Sequence, residues 1–263
     1  MTRIHVLSDL HLEVNRTLNL NEAPPECDLI MLPGDIINQS SENAHHYQNN
    51  VEQLTDYLDR SDAPKVAVIG NHELYRSSRQ RAINHARKFW AERGVKFVES
   101  EGLISLVEGV TLHCCTLWTN FEDSNSAMAI ASNSLNDFRL IKSDYDETQR
   151  ITPLDQRRWN IDARMWLENS LHRAPKGNKN VVMTHYSPSL ELAHGRYAGS
   201  PLNPAFHNSG MEHLIERADL WLFGHTHDAI DQVIHGCRCV ANPHGYQPGE
   251  ADNGFDPGLV VKI

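Results

Sequence analysis

Gly70-Asn71-His72-Glu73 follows directly on the apolar run Lys65-Val66-Ala67-Val68-Ile69. A short β-branched run that ends in a glycine and a cluster of polar side chains reads as a buried strand delivering those side chains at its carboxyl end. The same grammar recurs on both sides. Arg3–Ser8 leads into Asp9-Leu10-His11, and Asp28–Pro33 leads into Gly34-Asp35. Further along, Asn180–Thr184 leads into His185, and Leu220–Phe223 leads into Gly224-His225-Thr226-His227. Five strands therefore aim carboxylate, amide and imidazole groups at one edge, which is where open α/β sheets bind ligands. The glycines before Asp35, Asn71 and His225 suit tight turns and close backbone approach.

Helical spacing fills the intervals. Tyr47, Val51, Leu54 and Leu58 recur at helical period after a polar, Ser-rich start, and Ile83, Ala86 and Trp90 do so before a stop at Gly94. Thr152 is an N-cap before Pro153 at the first helical position, which predicts a helix to about His172. The order β-α-β-α implies a partly parallel sheet covered by helices. Between Val95 and Thr116 the pattern turns to short β-rich runs, and Gln232–Ala241 and Leu259–Ile263 are again β. The polar, irregular segment 118–150 reads as a long loop or small specificity insertion with some helix. No repeat, low-complexity tract or linker divides the 263 residues, so a single domain over 1–263 is expected.

Composition narrows the function. A formal charge of −10 argues against long nucleic acid as a partner, because such binding needs basic surface. No apolar run approaches the ~20 residues that span a bilayer. Met1–Val6 passes straight into a strand with no apolar leader core, so a cytoplasmic protein is expected. Cys27, Cys114, Cys115, Cys237 and Cys239 form no CxxC pair and read as buried free thiols. Of the sixteen histidines, His5 and His113 lie within β runs and are expected in the core. His45, His46, His85, His172 and His213 fall on helices and are expected to face solvent.

Asp9, His11, Asp35, Asn71, His185, His225 and His227 offer oxygen and nitrogen donors and no thiolate, a mixture suited to Mn²⁺, Fe or Zn²⁺. Seven ligands are too many for one catalytic ion and right for two when one carboxylate bridges. Asp35, on the central strand, is the natural bridge.

The ordered set D-x-H, GD, GNHE, a lone H and GHxH, spanning Asp9 to His227, resembles the calcineurin-like metallophosphoesterases. That resemblance implies an α/β four-layer sandwich of two mixed β-sheets flanked by helices, with a dinuclear metal site at the C-terminal ends of strands. It implies one metal on Asp9, His11, Asp35 and His227, and a second on Asp35, Asn71, His185 and His225. It also implies two divalent or mixed-valence ions, and His72 as the catalytic histidine that assists the leaving oxygen. Many relatives carry GDxxD, whose second aspartate orients that histidine. Here Asn38 stands in its place and is expected to orient the imidazole through its amide. The missing DRG argues against the serine/threonine protein phosphatase branch, which is kept as an alternative beside a non-enzymatic metal-binding scaffold. The expected activity is hydrolysis of a small phosphodiester or phosphomonoester by a metal-bridging hydroxide. Arg196, His207 and Asn38 are candidate substrate contacts, Arg196 because a guanidinium grips phosphate bidentately. Trp118, Phe121 and Phe138 are expected to pack among themselves, and Asp144–Glu147 to be a solvated loop. The turn Asn242–Tyr246 resembles a loop that lies near the site in small bacterial relatives.

Overall fold

The computed structural model describes residues 1–41 and 44–263. Its elements run β1 (Arg3–Val6), β2 (Leu29–Pro33), α1 (His45–Asp59), β3 (Lys65–Val68), α2 (Arg79–Ala91), β4 (Lys96–Phe97) and β5 (Val110–Cys115). There follow α3 (Asn125–Ser134), α4 (Asp137–Leu140), α5 (Pro153–His172), β6 (Lys179–Thr184), α6 (Glu212–Ile215), β7 (Leu220–Phe223), β8 (Ile230–Ile234), β9 (Cys237–Ala241) and β10 (Val260–Lys262). One sheet has the order β10-β1-β2-β3-β4, parallel except for the β10 edge. The other has the order β5-β6-β7-β9-β8, parallel except for the β8 edge. β2 is the central strand of its sheet, as expected for the strand that carries Asp35.

Strand alternation builds the layers. Leu29 and Met31 of β2, Val181 and Met183 of β6, and Leu220 and Leu222 of β7 fill the core between the two sheets. Their neighbours Ile30, Leu32, Val182, Trp221 and Phe223 face the helical layers. A strand buried on both faces must be apolar throughout, which is why these segments read as continuous runs. Each fully buried aliphatic side chain contributes about 1.5–3 kcal/mol.

Two histidines tie sheets to helices. His5 meets the Tyr57 hydroxyl of α1 at 2.7 Å through Nε2, and its Nδ1 donates to the Leu259 carbonyl at 2.8 Å. His113 pairs with the Ser170 hydroxyl of α5 at 2.7 Å. Both are buried, as expected of histidines within β runs.

At the start of α5 the Asp155 carboxylate accepts from the Thr152 N–H at 2.7 Å and from its hydroxyl at 2.8 Å. That fixes the helix start where the sequence places it. The Ser-rich start expected before α1 includes residues 42 and 43, which lie outside the described residues.

Segment 118–150 is more helical than its sequence suggests. Ser124 caps α3 by accepting from the Ala127 N–H, and only Ala127, Met128 and Ala131 are buried on that helix. Its buried face, two alanines and one methionine packed on α5, is too narrow to show as an apolar stripe. Trp118, Phe121 and Phe138 are buried, as packing residues should be. The cysteines are free, four of them buried and Cys27 half-buried. No helix among the described residues is long and apolar enough to cross a membrane.

Candidate metal centre

Asp9, Asp35 and Asn71 leave the ends of β1, β2 and β3, while His185 and His225 leave the ends of β6 and β7. Both sheets therefore feed one edge of the sandwich. Backbone bonds stitch the loops together: Asp9 N–H to Gly34 O at 3.1 Å, His11 N–H to Asp35 O at 3.0 Å, and Gly224 N–H to His185 O at 2.9 Å. The turns are tight enough that Asp9, His11, Asp35, His225 and His227 all adopt positive φ, between 44° and 69°. A non-glycine residue in that region costs of order 1–2 kcal/mol, and such strain clusters at functional sites.

Close approach accounts for the glycines. A Cβ on Gly34 would lie 2.7 Å from Gly70 N and 2.8 Å from His185 Nδ1. One on Gly70 would strike the Asp35 carboxylate and sit 2.5 Å from His185 Nε2, and one on Gly224 would sit 2.6 Å from Asp9 Oδ2.

Ligand-type atoms among the described residues gather in three neighbouring groups. Asp9, His11 and His227 form one, Asp35, His185 and His225 another, and His11, Glu13 and His72 a third, each with donor atoms within 4.8 Å of one another. His11 Nε2 lies 3.0 Å from His227 Nε2 and 3.9 Å from Asp35 Oδ2, and His185 Nε2 lies 3.4 Å from Asp35 Oδ2. Asn71 Oδ1 is 3.1 Å from His185 Nε2.

The side chains are held from behind. His185 Nδ1 donates to Pro33 O at 2.8 Å, and His227 Nδ1 meets Glu250 Oε2 at 2.7 Å. The Asn71 amide donates to Asp137 Oδ1 at 2.9 Å and to the Tyr75 hydroxyl at 3.2 Å, which turns its carbonyl oxygen toward the cluster. Glu73 accepts from the N–H groups of Gly70, Asp35, Ile36 and Ile37 at 2.7–3.1 Å, clamping the two strand-end loops together. Burial and the neighbouring Asp35 charge push its pKa up to about 7 against those donors.

The electrostatics favour cations. Burial opposes ionisation of Asp9 and Asp35, yet both stay below the usual carboxylate range because His227 faces the first and His185 the second. The reciprocal pull overcomes burial and raises His227 to about 10 and His185 to about 9. His225 goes the other way, well below its ordinary value, through burial and the adjacent His185. Its Nε2, like Asp9 Oδ2, is buried with no hydrogen-bond partner among the described residues. Buried polar atoms rarely stay unmatched, and a ring nitrogen and a carboxylate oxygen suit a metal ion equally well.

His72 stands at the rim of this cluster, 4.3 Å ring to ring from His11. Its Nδ1 is 2.8 Å from Glu13 Oε1, and the Tyr246 hydroxyl lies 2.9 Å from its Nε2. Two hydrogen bonds to histidines overcome burial and hold Glu13 down at about 2. The expected orienting role of Asn38 is thereby corrected. Asn38 is buried, its amide donates to the His72 backbone carbonyl at 2.7 Å, and its oxygen accepts from Ser40. These bonds go to the His72 backbone and to Ser40, whereas the ring nitrogen Nδ1 of His72 meets Glu13.

Arg196 is half-exposed and paired with Asp228 at 2.7 Å. His207 is buried at the wall of an adjoining cavity. Sequence reasoning missed Glu13, Asp137 and Glu250, and it placed the Asn242–Tyr246 turn near the site without giving Tyr246 a role. Glu13 left a trace as the fifth residue of Asp9-Leu10-His11-Leu12-Glu13.

The pattern of the family described as calcineurin-like phosphoesterase matches residues 2–229. The whole chain aligns with 97% of an uncharacterized protein, L509, of Acanthamoeba polyphaga mimivirus at 26% identity. Among solved structures, the phosphopantetheinyl hydrolase (PptH) of Mycobacterium tuberculosis superposes with a TM-score of 0.69. That match covers 99% of this chain and 95% of that one at 16% identity. A putative 5'-nucleotidase from Staphylococcus aureus gives a TM-score of 0.52 at 13% identity, over 91% of this chain and 48% of the other. At these identities the structural likenesses speak for the fold, two mixed sheets flanked by helices. With its motifs, its fold and a family match across most of its length, the chain belongs to the calcineurin-like phosphoesterase family and is a phosphoester hydrolase.

Proposed function

We propose that the chain hydrolyses a small phosphoester in the cleft lined by Asp35, Asn71, His72, His225, His227 and Tyr246. The observation that carries this reading is the convergence of two ligand groups on one strand-end edge, with Asp35 within 4 Å of His11 in one group and His185 in the other. Asp9, His11, Asp35 and His227 would hold one divalent ion, and Asp35, Asn71, His185 and His225 the other. Bound there, two ions supply Lewis acidity toward the phosphoryl oxygens and an activated water.

The protein's own share is positional. Glu13 fixes the His72 ring through Nδ1, so that Nε2 faces the cleft and can give a proton or hydrogen bond to the departing oxygen. Tyr246, which touches that same nitrogen, holds it in place until a substrate oxygen replaces the contact. The cleft has a volume of about 320 Å³, which suits a small organic phosphate. A serine/threonine-type protein phosphatase role is disfavoured by Asn38, which stands where the DRG-containing pattern has aspartate, and by the missing DRG itself.

The test is hydrolysis of bis(p-nitrophenyl) phosphate beside p-nitrophenyl phosphate by Mn²⁺-loaded protein, with Asp35→Asn as the control. We expect turnover of at least one, abolished in Asp35→Asn. His72→Ala should cut turnover by about 10²–10⁴ and leave metal content intact. Full metal occupancy with neither ester cleaved would overturn the reading. Loss of metal in His72→Ala would overturn the role of His72.

A further inference from the structure

Two tyrosines of the cleft wall flank the His72 ring, Tyr75 at 4.2 Å and Tyr246 at 5.9 Å between ring centroids. Their hydroxyls are committed differently. Tyr75 donates to Asp137 Oδ1 at 3.0 Å. The Tyr246 hydroxyl instead meets His72 Nε2 at 2.9 Å, the nitrogen that the hydrolase reading assigns to the departing oxygen. The Tyr246 ring also lies 4.6 Å from the ring of His11 and 4.6 Å from that of His227. One side chain thus touches the catalytic imidazole and two ligand-type histidines of one group.

The backbone that carries Tyr246 is fixed on several sides. His244 N–H donates to Ser8 O at 2.9 Å and Gly245 N–H to Asp9 O at 3.0 Å, which sews the turn to the end of β1. Tyr246 N–H donates to Glu250 Oε2 at 2.7 Å, and the same oxygen meets His227 Nδ1 at 2.7 Å. Gln247 N–H donates to Asn15 Oδ1 at 2.8 Å. Gly245 permits the turn, because its φ is +72° and a Cβ there would lie 2.5 Å from Glu250 Oε2. A donor mounted this way is aimed before substrate arrives, the condition under which a hydrogen bond contributes most to a transition state.

A tyrosine hydroxyl has one proton to donate and an oxygen that accepts. Among the described residues the partner of this hydroxyl is His72 Nε2. When a substrate oxygen takes Nε2, that partner is lost, and the other oxygens of the same phosphoryl group are the acceptors beside it. Those oxygens carry the charge of the transition state, so a donor aimed at them lowers the barrier. We propose that Tyr246 is a catalytic residue, its hydroxyl donating a hydrogen bond to a non-bridging phosphoryl oxygen while His72 serves the departing one. The proposal rests on the phosphoesterase reading and gives the turn Asn242–Tyr246 a part in it.

Tyr246→Phe tests it, since the change deletes the hydroxyl and keeps the ring. On Mn²⁺-loaded protein we expect kcat for the p-nitrophenyl ester that the parent cleaves to fall by about 10–10², with metal content unchanged. A hydroxyl that merely positions His72 could also lower kcat, so binding separates the two roles. Inorganic phosphate, titrated calorimetrically into metal-loaded protein, should bind about tenfold more weakly to Tyr246→Phe than to the parent. The same loss should appear when Tyr246→Phe is added to His72→Ala, which has no imidazole left to position. Phosphate affinity that Tyr246→Phe leaves unchanged in the His72→Ala background would overturn the proposal and make Tyr246 a positioning group for His72. Loss of metal from Tyr246→Phe would overturn it as well, since the hydroxyl would then support the ligands. A metal-loaded parent that cleaves neither ester would overturn the hydrolase reading itself, whatever Tyr246→Phe does to phosphate binding.

Discussion

Gly70→Ala adds one methyl group at the point where three loops meet. Its Cβ would overlap the Asp35 carboxylate and lie 2.5 Å from His185 Nε2 and 2.6 Å from Cε1, where ordinary contact begins at 3.4 Å. Neither neighbour can withdraw freely. The His185 ring is anchored by its 2.8 Å bond to Pro33 O and packed against Tyr186 and His225, and Asp35 Oδ1 accepts from the His72 N–H at 2.9 Å. Overpacking of this kind costs about 1–3 kcal/mol, which lowers the melting temperature of chelator-stripped protein by about 2–12 °C. The larger effect falls on the site, since relief of nearly an ångström of overlap must displace Asp35, His185 or both. A misplacement of that size costs about 10² in turnover, and at least one metal should be lost. Elemental analysis, calorimetric melting and p-nitrophenyl ester hydrolysis read the three effects. Gly102→Ala, whose Cβ meets nothing within 4 Å, is the control and should stay within about 0.5 kcal/mol of the parent. Full metal stoichiometry with turnover within about threefold of the parent would refute the claim that close approach at Gly70 shapes the centre.

Glu13→Gln should lower turnover by about 10–10² at unchanged metal content, because the neutral amide holds and polarises His72 less well. Loss of metal instead would make Glu13, whose Oε2 is buried with no partner among the described residues, a ligand in its own right. Asp137→Asn replaces the acceptor that turns the Asn71 amide, and metal affinity measured by chelator competition should fall about 10–100-fold, whereas an unchanged affinity would dismiss Asp137 as support. Burial lowers the pKa of His113 below its ordinary value. Its contribution is therefore complete above the unfolded value of about 6.5 and is lost as pH falls below it, since the unfolded chain then takes up a proton that the folded one refuses. Urea denaturation between pH 7 and 5 should show a shallower decline in His113→Gln than in the parent, and equal slopes would contradict the assignment.

The sequence alone determined where the strands end and which side chains they deliver there. A strand buried on both faces must be written as an apolar run, so Leu29–Pro33 and Leu220–Phe223 announce themselves. The groups that follow such runs, Asp35 after Gly34 and His225 after Gly224, are placed by the backbone and need no long-range information. Thr152 and Pro153 marked a helix start for the same local reason. Only the tertiary structure decided what stands behind those groups. Glu13 reaches His72 across 59 residues, Asp137 reaches Asn71 across 66, and Tyr246 reaches His72 across 174. No periodicity encodes such pairings, because each depends on how one loop folds over another. Helix α3 stayed hidden because it buries alanines and one methionine against α5, a face made by packing rather than by hydrophobic contrast.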